Sequence, residues 1–521
     1  MKKIDLKNKE ILFYIISFII ITILFFTHFI YISYDSSEYI GMSLAIGTNT
    51  IKDVWNTIRG ISFPLLLRIF EPFKYQNKYL FLLMLYLFYI LMIYLVINIG
   101  KKIKLYNNKN DKFLYLLGIF IFIIFNPFIF MYYHVILTEF IIMTLNILFI
   151  YLSYNYINFN INKDKKYLII YSFIISLLIT FCYHTKQSFL GMLSIEMLIV
   201  IILSIIKYHD WKNILARIFT CIICTLMLVS SIKLWNNFMA KESVGNNVGT
   251  AAVQSYTNKH LLGSLKLLTE VGNNTNIVYT NNKFLIINTN KEIKINKNTK
   301  EIINILNHKS KYKGFTIYEY DNIQYIFYTK NNYSLKEQIP MYLKILFTHP
   351  KIILKSYYNS FIDIVWTNKS YHSESFEYID YYYKSGSSSS LYYNRNYYEA
   401  VKKLIETPKR SFIDKFAFGL SIMICYLYKI NQLILPLLFI ISIIMYIVFV
   451  IKDKKNKKYK LYRNGFEMIV LLYGMAFGCI LSYVIFGALI DRYIIPSLIP
   501  MFVGDIVFII YISKIIKERV N

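Results

Sequence analysis

Apolar runs of about twenty residues recur along this chain, separated by short polar stretches. Each is long enough to cross a hydrocarbon core of about 30 Å. The runs predict spans over roughly 11–33, 79–100, 113–131, 135–155, 167–183, 188–207, 214–235, 433–451, 466–489 and 494–513. Asn126-Pro127 predicts a break near the end of the third. Between Asn236 and about Ser411 no run is long enough to span. Within that stretch, residues 276–295 and 314–330 alternate around Asn281-Asn282 and Asp321-Asn322, which predicts hairpins. Ile339–Trp366 reads as two helices broken at His349-Pro350, and the aromatic, polar stretch Tyr371–Tyr398, with Gly386 and Ser387–Ser390, as a mobile loop. The expected fold is mainly α: a polytopic membrane helix bundle of about ten spans with an α/β extracytoplasmic domain. Its parts are an N-terminal transmembrane half (1–235), the extracytoplasmic domain (236–411) and a C-terminal transmembrane part (412–521).

Charge orients this pattern. Lysines cluster between apolar runs, at Lys2–Lys9, Lys101–Lys112, Lys163–Lys166 and Lys452–Arg463. The net charge of +28 is therefore read as a positive-inside signal, with no nucleic-acid partner required. Both termini are expected in the cytoplasm of a multi-pass cell-membrane protein. One conflict follows: if Phe412–Ile430 and Leu433–Ile451 both crossed, Lys452–Arg463 would lie outside. Phe412–Ile430 is therefore expected to be a surface or re-entrant helix. Fifty-six per cent of the 521 residues are hydrophobic, as a polytopic membrane protein requires. The abundance of Ile, Asn, Lys and Tyr reads as AT-rich coding. That abundance and the interfacial aromatic belt account for the tyrosines of 371–398 as well as sugar stacking would. All five cysteines lie in or beside apolar runs, so Cys221-x-x-Cys224 reads as packing rather than a redox or zinc pair.

With this orientation Asp35, Glu38, Arg59, His134, Glu139, His184, Lys186, Asp491 and Arg492 fall at the outer membrane face. Asp35, Glu38, Asp53 and Arg59 lie in the loop after the first span, whose flanks read as a short helix along the membrane surface. Such charges are costly at that depth unless paired. Structural ion pairing is the plain alternative, above all for Glu139, His134 and the deeper Glu196. Carboxylates beside cations suit transfer of a sugar from a phosphate. A carboxylate takes the proton of an acceptor hydroxyl, and cations stabilise the leaving phosphate.

Several motifs carry a resemblance. Tyr34-Asp35-Ser36-Ser37-Glu38-Tyr39, followed by Arg59-Gly60-Ile61-Ser62-Phe63-Pro64, resembles the first external loop of GT-C glycosyltransferases. The likeness is to the group of protein O-mannosyltransferases and lipid A aminoarabinose transferases. In that group an Arg-x-Pro-x-Tyr-Pro-like element precedes the second span; this chain lacks its first proline and has Ser62 and Phe63 before Pro64. Asn126-Pro127 with Leu137-Thr138-Glu139 resembles the family's third-to-fourth helix hairpin. His184-Thr185-Lys186-Gln187 falls where a basic residue is expected, and Asp491-Arg492-Tyr493-x-x-Pro496 resembles its late Arg-Tyr-x-x-Pro. The resemblance covers both membrane parts but not the middle segment.

It implies an inverting transferase that moves a sugar from a polyprenyl-phosphate donor to a glycan, lipid or protein acceptor of the cell envelope, within membrane lipids. Asp35 would be the general base, with Glu38 as the neighbouring catalytic carboxylate. Arg59, Glu139, His184, Lys186, Arg492 and Tyr493 would bind substrate, Lys186 and Arg492 meeting the phosphate. No cofactor is implied. A divalent metal has no motif, since no Asp-x-Asp pair stands near the first loop. The alternative is a lipid-linked oligosaccharide transporter or a polysaccharide ligase component.

Overall fold

A computed structural model of the chain describes residues 15, 18–26, 31, 32, 34–48, 51, 55, 59–70, 78–208, 210–241, 266, 267, 277–280, 283–286, 297–307, 315–320, 323–327, 335–365, 377, 378, 412–486 and 491–520. Residues 18–26 are helical. The short strand β1 (Tyr31–Ile32) then leads into α1 (Tyr34–Ala45) and, past Arg59-Gly60, α2 (Ser62–Phe70). Pro64 stands in the first turn of α2, where a missing N–H breaks no helical bond. The bundle continues with α3 (Lys78–Lys102), α4 (Lys109–Ile119), α5 (Pro127–Tyr132), α6 (Glu139–Asn158), α7 (Ile161–Thr185), α8 (Leu190–Tyr208) and α9 (Trp211–Lys241).

After the middle segment three helices return: α13 (Phe412–Lys455), α14 (Lys460–Phe486) and α15 (Leu498–Val520), the last entered through a 3₁₀ turn at Asp491–Ser497. The middle segment itself holds α10 (Lys297–Asn307), α11 (Leu335–Thr348) and α12 (Pro350–Val365). Its strands β2 (Lys266–Leu267), β3 (Ile277–Thr280), β4 (Lys283–Ile286), β5 (Phe315–Tyr320) and β6 (Ile323–Phe327) pair antiparallel in the order β2-β6-β5-β3-β4. Thr280 faces Lys283 and Tyr320 faces Ile323, so Asn281-Asn282 and Asp321-Asn322 are two-residue turns. A further strand, β7 (Glu377–Tyr378), pairs with β1: Tyr31 opposes Tyr378 and Ile32 opposes Glu377.

Among the described residues eight helices are long and apolar enough to cross a membrane. The chain is a helical membrane bundle. Short connections make successive helices antiparallel, and this sorts the chain into two ends. One carries the lysine clusters at the ends of α3, α8, α13 and α15. The other carries α1, α2, the α7–α8 turn and the middle segment. The most apolar stretch of α6 is 89% buried and that of α9 is 22% buried, so α6 is a central helix and α9 faces lipid. Glycines allow close helix contact: a Cβ at Gly465 would stand 2.3 Å from the ring of Tyr511.

One expectation holds and one changes. The third span breaks at Asn126-Pro127, where the next helix starts on the proline. A π turn at Phe120–Ile124 follows α4, and Asn126 then caps α5, accepting from Ile129 N–H at 3.4 Å with Pro127 at the first helical position. Phe412–Ile430 is not a separate surface or re-entrant helix. It runs without a break into 433–451 as α13, whose 44 residues extend about 66 Å, twice the hydrocarbon thickness. Among the described residues the candidate span within α13 is Leu427–Lys455, which a single crossing would satisfy without the charge conflict. The apparent break at Asn431-Gln432 is a polar contact inside the bundle, where the Asn431 amide donates to Asp505.

Candidate functional site

The described residues of the first loop are tied to the bundle at several points. Ser36 Oγ donates to the carbonyl of Ile136 at 2.7 Å, fixing the first turn of α1 to the segment that leads into α6. Asp35 is the preceding residue of that turn; its side chain lies outside the described residues, as does Asp53. One turn on, Glu38 accepts from Arg59 Nε at 2.9 Å. Arg59 also lies 5.1 Å over the ring of Tyr39 and donates to its hydroxyl at 3.4 Å. Gly60 touches the far end of α7: a Cβ there would stand 1.9 Å from the His184 carbonyl oxygen. No other residue permits that approach, which explains the Arg-Gly pair.

An enclosed ion pair stands at the start of α6. Glu139 opens α6, where unpaired N–H groups favour an anion, and it is 1% exposed. Lys186 Nζ donates to its Oε1 at 2.7 Å, and Thr138 Oγ1 donates to Oε2 at 3.3 Å. Lys186 is the extended residue between α7 and the 3₁₀ turn that starts α8, so the reversal of the chain delivers its amine. The short turn after the fifth span therefore does place a cation at this end. His184 takes another direction, its Nε2 lying 3.0 Å from Ser231 Oγ on α9.

His134 is a tie between elements. Its ring nitrogens lie 2.7 Å from the carbonyl of Phe130 and 2.9 Å from that of Phe25. Burial between the Phe25 and Phe130 rings lowers its pKa to about 4, against the opposite pull of the two carbonyls. The late motif reaches the same helix, for Asn146 of α6 donates to the Pro496 carbonyl at 3.2 Å. The side chains of Asp491, Arg492 and Tyr493 lie outside the described residues.

Four segments far apart in sequence thus meet around the first half of α6: the first loop, the 133–139 connection, the α7–α8 turn and the Asp491–Ser497 turn. Of the sequence candidates, Glu38 with Arg59 and Glu139 with Lys186 are brought together as pairs. Ser36, Tyr39 and Gly60 stand inside the first-loop motifs without having been singled out, and Asn146 lies in no motif.

The other end has a different character. Lys207 Nζ donates to both oxygens of Glu467, at 2.8 and 3.1 Å, and to Asn158 Oδ1 at 2.6 Å. Asn158 Nδ2 completes the ring by donating to Glu467 at 2.8 Å. Two more carboxyl groups lie inside the bundle. Asp505 accepts from Tyr473 at 2.8 Å and from Asn431. Glu196 is fully buried, and neither of its oxygens has a hydrogen-bond partner among the described residues. Cys182, Cys221, Cys224 and Cys479 are free thiols; Cys224 contacts Ser176 Oγ at 3.1 Å, which is packing chemistry. Among the described residues no three His, Cys, Asp or Glu side chains gather as metal ligands.

Comparison with protein-family models, with curated proteins and with solved structures returns no match.

Proposed function

We propose that the chain is an inverting glycosyltransferase that takes a sugar from a polyprenyl-phosphate donor to a cell-envelope acceptor. In this reading both termini are cytoplasmic, the middle segment is an extracytoplasmic α/β domain, and 11–33 and 113–131 complete about ten crossings. The observation that carries the reading is the convergence of the first loop, the Glu139–Lys186 pair and the Asp491–Ser497 turn at one end of α6. These are the segments on which the GT-C resemblance rests, and they come from both halves of the chain.

The chemistry follows from the residue types. Asp35 takes the proton from the acceptor hydroxyl as its oxygen attacks the anomeric carbon from the face opposite the phosphate. The bond from that carbon to the phosphate oxygen breaks, and the configuration inverts. The polyprenyl phosphate leaves with its charge met by Arg492 and Lys186. Arg59 holds Glu38 in place on the acceptor side. Tyr493 lies against the donor. His184, engaged by Ser231, contributes through the α7 end that Gly60 rests on. The β1–β7 pairing brings Glu377 and Tyr378 within a few residues of Asp35 along the chain, which supports a role for the middle segment over the acceptor.

The transporter reading has its own support, in the buried carboxyl groups of Glu196 and Asp505. One assay separates the two. Purified protein in liposomes receives envelope lipids carrying labelled sugar and an acceptor fraction. A transferase breaks the sugar–phosphate bond and frees polyprenyl phosphate; a transporter moves the lipid intact. Asp35→Asn should cut turnover by roughly 10²–10⁴-fold with donor binding retained, and Arg492→Ala should lose donor affinity along with rate. Near-normal turnover in both Asp35→Asn and Glu38→Gln removes the mechanism.

A further inference from the structure

The α11–α12 pair is too short to cross a membrane, yet it turns large apolar side chains outward. On α11 these are Ile339 (49% exposed), Leu343 (41%) and Phe347 (80%), at a spacing of four residues that keeps them on one face. On α12 they are Leu354 and Tyr358, each 64% exposed. Lysines share both faces: Lys344 on α11, and Lys351 and Lys355 on α12, all exposed. The spacing 351, 354, 355, 358 is a single helical face.

The opposite face of α12 is fixed. Ile353, Ser356, Ser360, Ile364 and Val365 are buried, and α12 packs on α14 and α13, two membrane-crossing helices. The pair is also stiff. The hydroxyls of Tyr342 and Tyr357 join the two helices, and His349 at the corner lies 3.1 Å from Glu301 of α10. A rigid hairpin held against two spans sits at the edge of the bilayer, with its apolar and lysine-bearing face turned away from the protein.

We propose that this face is a membrane-surface anchor: the leaflet on that side covers it, and its lysines engage anionic lipid headgroups. Apolar side chains interleaved with lysine on a short helix suit the boundary between acyl chains and phosphates. A soluble protein partner would be met by the same apolar residues, but the fixed seat on α13 and α14 favours the bilayer. The hairpin then sets the height of the middle segment above the membrane.

The test uses the full chain in liposomes of phosphatidylcholine with phosphatidylglycerol. Spin labels are placed singly through Phe347→Cys and Leu354→Cys, with Lys300→Cys on exposed α10 as the aqueous reference, all in a background lacking the native cysteines. The labels at 347 and 354 should collide more with oxygen, which concentrates in lipid, than with a water-soluble nickel chelate. The label at 300 should show the reverse. In a second arm, Lys344→Gln with Lys351→Gln and Lys355→Gln should lower, by severalfold, the preference of these labels for brominated or spin-active phosphatidylglycerol over phosphatidylcholine. Labels at 347 and 354 that behave like the one at 300 overturn the anchor. So do labels shielded from both reagents, which would mean a protein covers the face. An unchanged lipid preference in the triple variant overturns the headgroup contact.

Discussion

The two ends of α8 each carry a buried lysine–glutamate pair, and the pairs differ in how they are completed. At the lysine-rich end Lys207 is 7% exposed and Glu467 not at all; Asn158 bonds both partners, and Tyr446 lies within 3.4 Å of Glu467. Side chains of the bundle fill the donors and acceptors of that pair. At the first-loop end Lys186 keeps 13% exposure beside a Glu139 that is almost fully buried, and Ser36 and Gly60 tie the first loop to neighbouring segments. The same two residue types are thus fully enclosed in one place and somewhat more open in the other. What distinguishes a site is the access left to the pair and the segments that converge on it, not the presence of buried charge.

An identical substitution at each pair tests this difference. Glu467→Gln leaves Lys207 charged and uncompensated in the interior. It should cost about 3–5 kcal/mol of stability, read as loss of folded protein and a lower unfolding temperature in detergent, with transfer per folded molecule unchanged. Glu139→Gln should cost less stability but slow transfer at least about tenfold, through misplacement of Lys186, the loss of a charged hydrogen bond being worth about 1.5–3 kcal/mol. Equal stability losses with equal activity would erase the distinction. Smaller still is Arg59→Lys, which gives up the contact over Tyr39 and the planar grip on Glu38. About 1 kcal/mol or less is at stake, a few-fold change in acceptor KM with donor binding unmoved.

The periodic apolar runs made most of the bundle legible, because a helix in lipid must be long and continuous in its hydrophobicity. The hairpin turns and the break at His349-Pro350 were legible for local reasons of turn chemistry. What pattern could not decide was continuity. Asn431-Gln432 reads as a polar gap between two apolar runs, yet the helix continues through it because its polar groups turn inward. At the site, charge type and sidedness pointed to Glu38, Arg59, Glu139 and Lys186. They did not say who pairs with whom, since pairing depends on tertiary partners such as Ile136 and the His184 carbonyl that no local pattern encodes. Lys186 reads as a free cation in sequence and is a paired one in the fold.

The most direct test of the central claim is mass spectrometry of cell-envelope glycans from cells that lack the gene and carry back either the native chain or Asp35→Asn. The claim predicts that a specific glycosylated species disappears with the gene, returns with the native chain, and stays absent with Asp35→Asn at equal membrane abundance. A glycan profile restored in full by Asp35→Asn would contradict it.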